Sequence, residues 1–225
     1  MDLRFFEIYR NAEYVVLLAE GALVSAGLTL LAGIIGFGLA SILASFRYFA
    51  VPICAQLSTA YVEFIRNTPL IVQLFFFAFG LPALLGYQWP FWAHALLALS
   101  INFSAYFSEI IRSGLQSVSH GQIEAARSLG LPPLVTLWRV LLPQAVAKMA
   151  PAIGAQFIFL FLTTGVISEI GVTDLTQAGL FIDSRTFRSF EVFLTLTAIY
   201  ILISLVYKWL LLRLQRRLFR WQVVR

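Results

Sequence analysis

Charge is scarce in this chain: Asp, Glu, Lys and Arg make up only 12% of its 225 residues, against about 25% in soluble globular domains. So little charge excludes an ordinary water-facing surface and points to lipid as solvent. Cysteine is nearly absent. Cys54 stands alone, which excludes an intramolecular disulfide and any multi-cysteine metal site; next to an apolar stretch, a packed, inert thiol is expected. Two histidines, His94 and His120, lie far apart and form no H-E-x-x-H pair, so metal chemistry has no support. No G-x-x-x-x-G-K-[ST] phosphate loop occurs, and neither Lys148 nor Lys208 follows a glycine. No nucleophile, base and orienting group can be assembled either, which disfavours an enzyme. The N-terminus mixes Asp2, Glu7 and Glu13 with Arg4 and Arg10, unlike a cleaved signal peptide, and the chain is read as mature from its first residue. Repeats and low-complexity linkers are lacking, so residues 1–225 are expected to form a single membrane domain.

Hydrophobic residues are abundant, at 60% of the chain with 21 phenylalanines. A helix needs about 20 apolar residues to cross the roughly 30 Å hydrocarbon core. Five stretches qualify, at about 21–46, 57–81, 88–113, 139–168 and 190–212, predicting an all-α integral membrane protein. The first carries Ala32, Gly36, Ala40 and Ala44 at four-residue steps, with Ser25, Thr29 and Gly33 on a neighbouring row. Such a row of small residues lets another helix approach closely. With the N-terminus outside, eleven basic residues fall in cytoplasmic segments and four in outer ones, leaving Arg66 within a span. The basic tail from Lys208 to Arg225, with Trp209 and Trp221, is read as a snorkelling, headgroup-facing helix end and not as a nucleic-acid patch.

Between the third and fourth stretches, residues 117–133 read Ser-Val-Ser-His-Gly-Gln-Ile-Glu-Ala-Ala-Arg-Ser-Leu-Gly-Leu-Pro-Pro. Ser119 with Gln122 fits a capping box, Glu124 is placed early where the helix dipole favours negative charge, and Gly130 followed by Pro132 and Pro133 fits a stop. A short helix over about 119–130 is predicted. Being marginal alone, it should dock on something, with Ile123, Ala126 and Leu129 as its apolar strip.

Glu124-Ala125-Ala126, then Gly130, then Val140-x-Leu142-Pro143 resembles the E-A-A, G, I-x-L-P motif of ABC importer permeases, with valine for isoleucine as the departure. The resemblance implies a type I ABC importer permease fold of about five transmembrane helices, with residues 119–130 as a cytoplasmic coupling helix. Glu124, Ala125, Ala126, Gly130 and Pro143 would form the ATPase coupling site. Residues 61–76, Tyr-Val-Glu-Phe-Ile-Arg-Asn-Thr-Pro-Leu-Ile-Val-Gln-Leu-Phe-Phe, and 105–114, Ala-Tyr-Phe-Ser-Glu-Ile-Ile-Arg-Ser-Gly, resemble the polar amino acid (histidine/glutamine/glutamate-type) permease subfamily. Asn67 stands where glycine is common, and Thr163-Thr164-Gly165 where Lys-Asp or Lys-Asn is more usual. Which amino acid is carried does not follow.

The resemblance implies a multi-pass protein of the bacterial inner membrane, N-terminus periplasmic and C-terminus cytoplasmic. Its expected partners are a second permease subunit, identical or sister, two ATPase subunits, a periplasmic substrate-binding protein and a small polar amino acid in a lipid bilayer. The chain itself would bind no cofactor, ATP and Mg being used by the ATPase. Another polar solute such as an opine, and an ion-coupled secondary transporter, stand as alternatives.

A charge inside a span costs on the order of 2.5–3.5 kcal/mol on insertion scales, so Arg66 needs either Glu63, three residues earlier, or a watery pathway. Pro69 frees the carbonyl of Ile65, so the helix should break around Arg66 to Thr68, and broken helices line transporter cavities. Arg66, Asn67 and Thr68 could then donate to a carboxylate, or Thr68 could simply repair the break. Thr163, Thr164, Ser168 and Glu169, near the outer end of the fourth stretch, face the substrate cavity by resemblance; Glu169 could equally sit in interfacial water.

Overall fold

The computed structural model describes residues 3–219, and all regular structure among them is helical. In chain order the helices are α1 (Phe6–Tyr9), α2 (Ala12–Tyr48), α3 (Cys54–Arg66), α4 (Leu70–Leu85), α5 (Phe91–Gln116), α6 (His120–Ser128), α7 (Pro133–Ile170), α8 (Leu175–Thr186) and α9 (Ser189–Leu218). Of these, α2, α5, α7 and α9 are long and apolar enough to cross a membrane, and α3 with α4 counts as a fifth crossing if the bent pair is one span. The second apolar stretch is therefore not one helix. Asn67 ends α3 and Pro69 enters α4 in extended conformation, because proline donates no backbone hydrogen bond and its ring disfavours helical geometry before it.

Helix α2 begins nine residues before its apolar stretch, since a helix does not stop where the hydrocarbon does. Its small residues are buried: Ser25, Thr29, Ala32, Ala40 and Ala44 are all fully covered. Meanwhile Leu23, Ile34 and Leu202 stay largely exposed, as lipid-facing side chains do. The basic end of α9 carries Arg213 over the Trp209 ring, 4.0 Å from its centroid; Arg220, Trp221 and Arg225 lie outside the described residues.

Two compact units can be distinguished. The first comprises Met1–Ile34, Thr68–Ile101 and Phe157–Tyr207. Its core joins Ile8, Leu18, Leu175, Ala178, Ile182, Val192 and Leu196, drawn from α1, α2, α8 and α9. Gly21 brings α2 so close to the start of α8 that a Cβ there would lie 2.7 Å from the carbonyl oxygen of Asp174. The backbone N–H of Leu175 donates to Ser25 Oγ at 3.2 Å. At the other end, Arg188 pairs with Glu7 and Glu191, and Tyr9 hydrogen-bonds Thr195.

The second unit comprises Ile35–Asn67, Asn102–Gln156 and Lys208–Arg225. Phe103 and Phe107 of α5 are fully buried in it, the latter edge-on to Phe37. Gly114 lets α7 approach, its added Cβ falling 2.9 Å from Met149 Cβ, and Gln215 of α9 donates to the carbonyl of Ala150.

Candidate functional site: the α6 helix and the polar positions of the spans

Helix α6 is nine residues long, His120–Ser128. Its C-terminus closes in a complete Schellman arrangement: Leu131 N–H donates to Ala126 O at 3.1 Å and Gly130 N–H to Arg127 O at 2.9 Å. Gly130 takes φ +71°, the left-handed region where glycine carries no Cβ penalty. The N-terminus differs from the sequence expectation. Ser119 makes no side-chain cap; the N–H of Gln122 donates instead to the Ser119 backbone carbonyl at 3.0 Å, which removes the orphan donor a capping box would serve. Starting at His120, the helix also puts Glu124 beyond its first turn, where the dipole has little hold. Glu124 and Ala125 are exposed and Ala126 is buried. The apolar strip is divided: Ala126 faces the protein, Ile123 is half-buried, and Leu129 is 79% exposed.

After Gly130 the chain enters α7 at Pro133. Leu137–Leu141 form a wide π-type turn directly before Leu142-Pro143, the usual device where a proline withholds its N–H. The Gln144 side chain covers one loosened carbonyl, that of Val140, at 3.0 Å.

Among the positions inside the spans, Arg66 ends α3 and stands over the Tyr106 ring, 5.5 Å from its centroid. No ion pair joins it to Glu63 among the described residues. Asn67 turns back, its Nδ2 donating to the Glu63 carbonyl at 2.8 Å. Thr68 Oγ1 accepts from Gln73 Nε2 at 2.6 Å, so the break is braced from the α4 side. Also in the first compact unit, Thr163, Thr164 and Ser168 donate to the carbonyls of Phe159, Phe161 and Gly165. Those bonds sit where α7 tightens to a 3₁₀ turn over Thr164–Ile170, so the hydroxyls satisfy their own backbone. Glu169 is exposed.

Residues 36–220 match the family described as binding-protein-dependent transport system inner membrane component. The chain belongs to this family. A glutamine transport system permease protein of Escherichia coli is 36% identical over 205 residues, covering 90% of this chain and 93% of the relative. A nopaline transport system permease protein of Agrobacterium fabrum is 37% identical over 183 residues, covering 77% and 76%. Among solved structures, an amino acid ABC transporter crystallised with histidines superposes with a TM-score of 0.88 at 35% identity, covering 96% of this chain and 100% of that one. This inner membrane component is thus a multi-pass, all-helical transport subunit of type I ABC permease fold.

Three features of the inner membrane component went unread in its sequence. Glu109 of α5 is held by Arg47 of α2 and by Arg112 Nη2 at 2.9 Å, and Arg47 Nε also donates to Thr59 of α3 at 3.2 Å. Lys148 Nζ donates to the Ser117 carbonyl at 2.6 Å, tying α7 to the link between α5 and α6. Asp174 caps α8, its Oδ1 accepting from Gln177 N–H at 2.9 Å. The Asp174-x-x-Gln177 spacing is itself a capping signal that could have revealed α8.

Asp174 is fully buried, and burial pushes its carboxyl up to about 6 from an ordinary 3.8. The unfolded carboxyl ionises near 3.8 and the folded one near 6, so stability contributed by this group is full below about pH 4 and is lost as pH rises to about 6. The loss is at most about 3 kcal/mol. Asp174→Asn keeps the accepting oxygen without the charge. It should raise the thermal midpoint in detergent at pH 8 and leave it unchanged at pH 4; an equal shift at both pH values contradicts the reading.

Proposed function

We propose that this chain is the membrane-spanning permease subunit of an ATP-driven importer of polar amino acids. It pairs with a second permease subunit around a central path and takes its solute from a periplasmic binding protein. The N-terminus is periplasmic and the C-terminus cytoplasmic, which puts α6 on the cytoplasmic side with eleven of the basic residues. The observation that carries the reading is α6 itself: a short helix fixed at its C-terminal end, seated through Ala126, with Glu124, Ala125 and Leu129 turned outward. Those outward residues dock into an ATPase subunit, which binds ATP and Mg and performs the hydrolysis. Gly130 and Pro143 shape the way out of the helix and into α7. Closure of two ATPases then moves α6 as a lever.

Arg66 and Asn67 at the end of α3, with Thr68 at the break, line the solute path, where unwound backbone offers donors to a carboxylate. Thr163 and Glu169 border the path at its outer end, with Thr164 and Ser168 buried behind them as its backbone support, Glu169 being the position free to meet a cationic group. The nopaline relative favours a second reading within the same class, an opine as solute.

Vesicles holding the chain with its ATPase, supplied with binding protein, test this. Uptake of an amino acid should require both ATP and the binding protein. Glu124→Ala should lower binding-protein-stimulated hydrolysis by roughly tenfold, the weight of one or two lost charge-assisted contacts, with membrane insertion unchanged. Uptake driven by an ion gradient alone would overturn the proposal.

A further inference from the structure

A cavity of about 550 Å³ opens in the second compact unit, among Arg66 of α3, Glu109, Ser113 and Ser117 along α5 and its end, and Lys148 and Met149 of α7. That volume lies within the roughly 300–1,000 Å³ range of small-molecule sites. Its charges are unequal. Glu109 is already engaged by Arg47 and Arg112, whereas neither Arg66 nor Lys148 forms an ion pair among the described residues. Two cations therefore face the cavity without a carboxylate of their own. Its remaining wall is apolar and tight, since Gly114 packs directly on Met149.

We propose that this cavity binds the α-carboxylate of the transported amino acid next to the coupling helix, and that Lys148 reports its occupancy to that helix. The proposal rests on the amino acid reading above. Arg66 and Lys148 supply charge-assisted donors, the strongest available to a carboxylate. Lys148 presently donates to the carbonyl of Ser117, the residue following α5 and three before His120. A carboxylate in the cavity draws the ammonium toward itself and loosens that tie, so the seat of α6 responds to solute already delivered. Functionally this is inhibition by the product: accumulated amino acid slows hydrolysis.

The test uses the permease with its ATPase in phosphatidylcholine nanodiscs, without binding protein. It is titrated with the amino acid the complex imports, and separately with the amine lacking that carboxylate. The acid should bind saturably and depress ATPase rate, while the amine does neither. Lys148→Met and Arg66→Gln should each weaken acid binding by roughly tenfold, and Lys148→Arg should restore it. Equal binding of acid and amine, or wild-type binding by both variants, would overturn the proposal. So would loss of binding on adding phosphatidylglycerol, which would mean that a lipid phosphate owns the site. If import persists while binding ignores these changes, only this inference fails; if no amino acid is imported, both fail.

Discussion

Gly130→Val is expected to abolish coupling, lowering binding-protein-stimulated ATP hydrolysis by tenfold or more while the chain still inserts. Gly130 holds φ +71°, a conformation costing an L-residue about 1–2 kcal/mol and more for a β-branched one. Both closing bonds of α6, from Leu131 to Ala126 and from Gly130 to Arg127, depend on that turn. A nine-residue helix is marginal without its end fixed, so the strain is relieved by unwinding. Nothing lies within 4 Å of a Cβ added there; the effect is conformational and not a clash. The series should therefore run Asn mildest, then Ala, then Val, following left-handed tolerance and not size. Hydrolysis by each variant, compared with its insertion, checks the order; a ranking by side-chain volume contradicts it.

The second large effect concerns Glu109. Arg47 and Arg112 both depend on this carboxylate, and the Arg47 side chain is only 12% exposed. Removing one member of a fully buried ion pair costs about 3–5 kcal/mol, because the surviving charge is left uncompensated; this pair is partly buried, so solvent lowers the cost below that range. Glu109→Leu should thus sharply reduce folded yield and thermal midpoint in detergent. Arg47→Leu in the same chain should recover part of the loss, since an apolar pair replaces the Arg47–Glu109 ion pair, while Arg112, more exposed and bonded to Gln116, keeps a partner of its own. Two losses that simply add would show that the residues act independently.

The amphipathic signals proved legible because they are local. Gly130 with its prolines marked the end of α6, and the small-residue row on α2 marked a buried face. The first, third, fourth and fifth apolar stretches correspond to α2, α5, α7 and α9, with ends shifted by up to nine residues. The capping box expected at Ser119 does not form, because the Ser119 backbone carbonyl takes the Gln122 N–H that its hydroxyl would serve. Helix α8 has no strong sequence signature beyond its cap, since twelve residues of mixed polarity give no clear period. Spacing leaves Arg66 two options, Glu63 or a watery pathway, and cannot show Tyr106, forty residues away, which offers it a ring face. The Arg47–Glu109 pair lies beyond local reading for the same reason: 62 positions separate its members, and only the packing of α2 against α5 brings them together.

The most direct measurement is a cross-link. Cys54 is the only thiol, so Cys54→Ser supplies a silent background into which Leu129→Cys, 79% exposed in the native chain, can be placed. With a bifunctional maleimide and thiols engineered on the surface of the ATPase, residue 129 should join to that subunit, and the yield should change when ATP is added. Labelling of residue 129 by a membrane-impermeant reagent from the periplasmic side, with no bond to the ATPase, would contradict the account.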